Sequence, residues 1–245
     1  MRTRSGYIAW LGIFLFILGI SMGLSLSAAM TWGEIETNLI ATPTDSKSLS
    51  LSCPWMIAPG ETSTIKTEII NDLEQEIEPM VIAEFGQPNT PAQKRESKIY
   101  ILSPRETQPL QWRVDDSYAA FGRVIPVLII QSRFNLNSPR TGACGILLFS
   151  IFGLSGLQTL ICIIICSLIC IAVGTILSRP YFSTTDEHIK KFAQIGRLLA
   201  IITVAALAIA LLRWWGLTTL LLTICAITIG TAVTELLVPS NRSRS

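Results

Sequence analysis

Three cysteines of this chain, Cys162, Cys166 and Cys170, recur every four residues. On a helix each such step advances about 40° beyond a full turn, so the thiols form one slanted stripe. Thiolates ligate metals, but no histidine or acid accompanies these three. The reading is of small, soft side chains at a helix–helix contact, with Cys225 as a residue able to face them. Cys53 and Cys144 stand apart from this set, in a polar stretch. They sit beside the first and last of a series of expected strands and are read as a disulfide, which requires an oxidising compartment.

The remaining reactive groups are sparse. Asp115 and Asp116 are adjacent carboxylates, but a calcium loop needs more oxygen ligands at ordered spacing, so a turn is expected. Glu74, Glu76 and Glu78 alternate and would share one face of an extended strand, either solvated or facing a basic partner. His188 is the single histidine, which excludes a multi-histidine metal site. It lies in Thr184-Thr185-Asp186-Glu187-His188, where a threonine cap and two acids favour the start of a helix. No GxSxG, HExxH, Walker A, GxGxxG or CxxC spacing occurs. The expectation is no catalytic residues, no metal and no cofactor. Asn241-Arg242-Ser243 is a glycosylation sequon on the side expected to be cytoplasmic.

The elements that position these groups follow from composition. Of 245 residues, 50% are hydrophobic and 15% charged, with a mean hydropathy of +0.51. Soluble domains carry about a quarter charged residues, so an ordinary soluble globule is excluded. Disorder is excluded as well, since it requires low hydrophobicity and high net charge. Residues 30–142 hold 14 acids and 10 bases, whereas the remainder holds 3 acids and 9 bases. The net charge of +2 gives no indication of nucleic-acid binding.

Four apolar stretches of roughly 20 residues, each long enough for a ~30 Å hydrocarbon core, run over Tyr7–Ala29, Leu157–Leu177, Phe192–Leu212 and Gly216–Val238. The first reads in two ways. Arg2 and Arg4, an apolar core and Ser27-Ala28-Ala29 make a cleavable signal peptide. Its length and the Gly19/Gly23 spacing make a retained transmembrane helix. Arg2, Arg4, Arg179, Lys190, Lys191, Arg197, Arg242 and Arg244 fall on one side of an alternating chain, which the positive-inside rule makes cytoplasmic. The acidic middle is then extracytoplasmic. Trp32, Trp214, Trp215 and Tyr181 fall at expected membrane interfaces. The last two helices turn at Arg213-Trp214-Trp215-Gly216, which brings Arg197 and Glu235 to similar depth near the inner leaflet. There they either form an ion pair or separately snorkel to the headgroups.

The expected domains are 1–29 (signal peptide or N-terminal helix), 30–152 (β-sandwich), 153–178 (transmembrane helix), 179–191 (cytoplasmic loop), 192–238 (helical hairpin) and 239–245 (tail). Within the second, short β-rich runs with period two are read at 47–52, 61–70, 77–85, 98–102, 107–114, 123–132 and 143–150. Seven such strands in about 110 residues match an immunoglobulin-like sandwich, with Trp55 or Trp112 filling its core. The fold class is therefore mixed: an all-β immunoglobulin-like sandwich plus transmembrane α-helices, three of them C-terminal.

Two features carry a resemblance. Cys53-Pro54 with the Ala58-Pro59-Gly60-Glu61 turn, and Ser138-Pro139-Arg140-Thr141-Gly142-Ala143-Cys144-Gly145, are similar to segments of uncharacterised bacterial envelope membrane proteins with an immunoglobulin-like outer domain. The resemblance covers residues 50–177 and implies the bacterial inner membrane as location, but no activity. The chain is not read as claudin-like, because the Trp…Gly-Leu-Trp…Cys…Cys signature of those proteins is missing.

The functional expectation is a non-enzymatic membrane accessory or interaction protein. Its partners would be the lipid bilayer and another membrane or envelope protein, with no nucleic acid. The alternative is a ligand sensor or transporter component whose outer domain binds a small molecule or envelope polymer. In that case Arg105, Arg113, Arg123 and Arg133 would converge on an anion.

Overall fold

A computed structural model describes residues 2–41, 47–86, 93–120, 122–132, 139–182 and 187–237. It divides into two units, Met1–Thr31 with Cys162–Ser245, and Trp32–Ile161.

The second unit is built from two sheets. Among the described residues nine strands occur: β1 (Lys47–Ser48), β2 (Leu51–Ser52), β3 (Met56–Ile57), β4 (Ser63–Ile70), β5 (Met80–Phe85), β6 (Lys94–Ile99), β7 (Thr107–Val114), β8 (Val124–Ser132) and β9 (Arg140–Leu148). One sheet has the order β1-β9-β8-β5-β6, with β3 also paired to β9; the other has the order β2-β4-β7. Alternation explains how they meet. In β4, Ile65, Thr67 and Ile69 are buried while Lys66 and Glu68 face out. Ile65 and Ile69 share one core with Val81, Phe85, Ile125, Val127, Ile129 and Ile146 of the larger sheet. Each side chain of this size stabilises by about 1.5–3 kcal/mol on full burial.

β8 does not alternate, because six consecutive residues, Val124–Ile129, are buried. A strand covered on both faces reads this way. The cover comes from helix α1, which spans Arg2–Ala41. At Gly33 it comes within ordinary van der Waals range of Val124, Leu147 and Gly145. Residues 30–41 are therefore helical, and the second unit, which begins at Trp32, opens on this helix. This segment is polar enough to end an apolar stretch but contains no helix-breaking proline.

Two strand readings are also corrected. The run expected at 98–102 lies at Lys94–Ile99, and Leu102 makes only an isolated bridge to Ile77. Every residue of β6 is exposed, because it is an edge strand whose pairing rests on backbone bonds to β5, so no burial period marks it. β3, only two residues long, is absent from the expected set.

The first unit is helical: the N-terminal part of α1, α2 (Gly156–Phe182), α3 (Glu187–Leu211) and α4 (Trp215–Leu237). Among the described residues three helices are long and apolar enough to cross a membrane, over Tyr7–Thr37, Gly156–Arg179 and Ala193–Leu211. In α4 the apolar stretch among the described residues is Trp215–Thr231. The loop expected at 179–191 is shorter than read: α2 continues to Phe182 and α3 begins at Glu187, so His188 is helical. Thr184, Thr185 and Asp186 lie outside the described residues.

Glycines allow α1 and α2 to approach backbone to backbone. A β-carbon on Gly12 would come 2.8 Å from Leu177 and Ser178, and one on Gly19 would come 2.8 Å from the Ser167 carbonyl. Ser167 Oγ donates to the Gly19 carbonyl at 2.7 Å across this contact.

Candidate functional site

The sandwich unit is braced around its last strand. Cys53, between β2 and β3, is disulfide-bonded to Cys144 of β9, with Cα atoms 6.6 Å apart. Cys144 lies in the core. Beside it, Gly145 has no room for a side chain, since a β-carbon there would overlap the Gly33 carbonyl of α1. A third brace joins the sheet to the start of α2. The Glu61 carboxylate accepts from the Ala58 N–H at 2.7 Å and from the Gly156 N–H at 2.8 Å. One oxygen thus closes the Ala58–Glu61 turn and caps a helix N-terminus, where negative charge is favoured. A β-carbon at Gly156 would overlap Met56 and Ile57. The only advance signal for this brace was the Ala-Pro-Gly-Glu turn itself.

The exposed side of the unit is β6 with the residues that follow it. Among the described strands β6 pairs with β5 alone. Lys94, Glu96, Lys98 and Tyr100 alternate onto one face. Lys94 Nζ lies 2.7 Å from Glu96, which holds the ammonium above its ordinary range against partial desolvation. Lys98 Nζ sits 5.1 Å from the centre of the Tyr100 ring. Burial, aided by the Glu96 charge, raises the Tyr100 phenol. On the other face Arg95 reaches Glu84 at 3.2 Å, and Ile99 stands opposite half-buried Met80. Ile99 is 60% exposed, and Ile101, just beyond the strand, 63%. A charged row and an apolar pair therefore share an unpaired sheet edge.

The structure places the other expected residues as follows. Arg105 pairs with Glu74, at the start of β7. Arg113 is exposed near the other end of the same strand, roughly 25 Å away at about 3.3 Å per residue. Arg123 is exposed before β8, and Arg133 lies outside the described residues. Arg105 and Arg113 are not brought together. Asp115 accepts from the Ser117 N–H at 3.0 Å, and Asp116 from the Gly60 N–H at 2.8 Å; both are turn contacts. Glu76 and Glu78 are exposed outside any strand.

Cys162 and Cys166, expected at a helix contact, are exposed in the single chain. The face of α2 that packs is Ser167, Ile171, Gly174 and Ser178, three to four residues apart. Cys170 meets α1 only at the edge of this face, 2.9 Å from a β-carbon built on Gly19. Cys225 is buried in α4. Trp32, Trp214 and Trp215 are exposed. The side chains of Tyr181 and Glu235 lie outside the described set, and Arg197 is exposed on α3. Trp112 packs against the core, 6.5 Å from Phe85 between ring centres.

No family model matches the chain, and no curated protein matches it. Among solved structures it is similar to the CARDB domain of a Pyrococcus furiosus protein in complex with di-metal ions (8% identity, 44% of this chain, 92% of that one, TM-score 0.33). It is also similar to a β-glucosidase from Listeria innocua in complex with glucose (10% identity, 44% and 17%, TM-score 0.31). A third is an alkylpurine DNA glycosylase from Pseudomonas fluorescens (12% identity, 49% and 36%, TM-score 0.29). The chain spans about a sixth of the glucosidase and about a third of the glycosylase. At these values none of the three assigns an activity.

Proposed function

We propose that this chain is a non-enzymatic membrane accessory protein of the bacterial inner membrane. It would present an immunoglobulin-like sandwich on the extracytoplasmic side to another membrane or envelope protein. The observation that carries this reading is the β6 edge. Among the described strands it pairs on one side only, and it displays Ile99 and Ile101 beside a row of charges. Edge strands recruit extended segments of partners through main-chain bonds, with alternate side chains setting specificity. The charges guard against indiscriminate pairing. The strand order β9-β8-β5-β6 against β2-β4-β7 supports the immunoglobulin-like assignment.

The N-terminal helix is retained in this reading. α1 runs unbroken through Ser27-Ala28-Ala29, and cleavage there would sever Gly33 and its cover of β8 from the glycines packed on α2.

The test is photo-crosslinking from position 99 in native membranes, with Lys66 on the opposite sheet as control. A discrete adduct from position 99 that disappears with added Ile101→Arg is expected. A chain that crosslinks to nothing and stays monomeric in mild detergent overturns the reading.

A further inference from the structure

Within the helical unit a cavity of about 990 Å³ opens between the four helices. Its wall is mainly apolar and includes Ile13, Phe16, Leu24, Leu199 and Ile229. The hydroxyls of Thr175 and Ser178 on this wall bond back to their own helix carbonyls, at 2.7 and 3.3 Å. Two cations line the cavity, Arg179 and Arg197, both exposed, and none of its described lining residues is acidic.

The charges lie at one end. Gly12 is against Ser178, next to Arg179, and Phe16 is against Gly196, next to Arg197. Arg179 lies in the last turn of α2, and Ala193, another lining residue, in the second turn of α3. From Ile13 to Leu24 the cavity follows α1 for eleven residues, about 16 Å at 1.5 Å per residue. That is the depth of one leaflet of a ~30 Å hydrocarbon core.

We infer that the cavity binds one anionic phospholipid of the leaflet at the Arg179/Arg197 end, its phosphate between the two guanidinium groups and its acyl chains along Phe16, Leu199 and Ile229. Guanidinium matches phosphate by paired N–H donors. Free phosphate would leave the apolar length of the cavity unfilled, and a zwitterionic headgroup would bring an ammonium toward two arginines. The inference is independent of the β6 edge.

The test uses the full chain in phosphatidylcholine vesicles containing a trace of spin-labelled phosphatidylglycerol or spin-labelled phosphatidylcholine. Each arginine near an anionic headgroup contributes about five-fold in affinity. The immobilised fraction should therefore favour phosphatidylglycerol by roughly 10- to 25-fold. R179Q/R197Q should bring the ratio close to one. Ser21→Trp, which fills the cavity and keeps both arginines, should do the same. Loss in R179Q/R197Q but full preference in Ser21→Trp would mean diffuse attraction to basic loops and would overturn the site. So would a wild type without preference, including one whose oligomer size by light scattering changes with Ser21→Trp, which would make the cavity a seat for a neighbouring helix.

Discussion

Breaking the Cys53–Cys144 bridge should cost the sandwich a large share of its stability. The bond closes a loop with a sequence separation of 91 residues. In the chain-entropy model a loop of this length removes about 4.6 kcal/mol of unfolded-state freedom at 25 °C. Domains are stable by only about 5–15 kcal/mol, so the loss is large but leaves a folded population. With a urea slope of about 2 kcal/mol/M for a unit of this size, the midpoint should fall by about 2 M. The assay is urea unfolding of the full chain in mild detergent, followed by tryptophan fluorescence. Trp55 and Trp112 lie in the sandwich unit and respond, while Trp10, Trp214 and Trp215 of the helical unit hold steady in detergent. Reduction with dithiothreitol and the C53A/C144A variant should give the same shift within about 1 kcal/mol, the variant being slightly worse because Cys144 is buried in the core. Coincident midpoints for oxidised and reduced protein, with the bond confirmed by thiol counting, would refute the loop-entropy argument. Six free thiols in the untreated protein would refute the bridge.

Three further outcomes follow from local geometry. Asn71 is fully buried; its Nδ2 donates to the carbonyls of Gln75, Leu102 and Ser103, and its Oδ1 accepts from the Leu73 N–H. Asn71→Ala should therefore cost about 2–4 kcal/mol, read in the same urea assay. Gly145→Ala should lower the midpoint or abolish accumulation, because the methyl group would overlap the Gly33 carbonyl, whereas Gly33→Ala should be tolerated, its β-carbon meeting neighbours at 3.7 Å or more. The Tyr100 phenol is raised by burial and by Glu96, so its protonated form is favoured by folding. That contribution is present below the unfolded pKa and is lost as pH rises through the folded one. Absorbance at 295 nm should show a transition above the ordinary tyrosine range, missing in Tyr100→Phe.

The strands that pack were legible because burial imposes a period: β4, β7 and β8 fall within a residue or two of their expected ranges. β6 was misplaced because Lys94-Arg95-Glu96-Ser97-Lys98 has no buried face to betray it. The helix at 30–41 was missed because it is neither apolar nor capped, and its helicity accompanies packing on β8, a tertiary partner about 90 residues distant. The cysteine stripe of α2 shows the converse. Its spacing is regular, but the backbone approach on α2 is decided by Ser167 and Gly174 one face away, opposite the glycines of α1. The Glu61 brace joins residues 95 apart, and the Ala-Pro-Gly-Glu turn marks the carboxylate without pointing to its partner on α2.

Whether the sheet unit stands outside the cytoplasm is tested directly by a membrane-impermeant maleimide in intact cells. In a chain with Cys162, Cys166, Cys170 and Cys225 replaced by alanine, Lys98→Cys on β6 should label before permeabilisation, and Lys190→Cys on α3 only after it. Labelling in the reverse order would contradict the account.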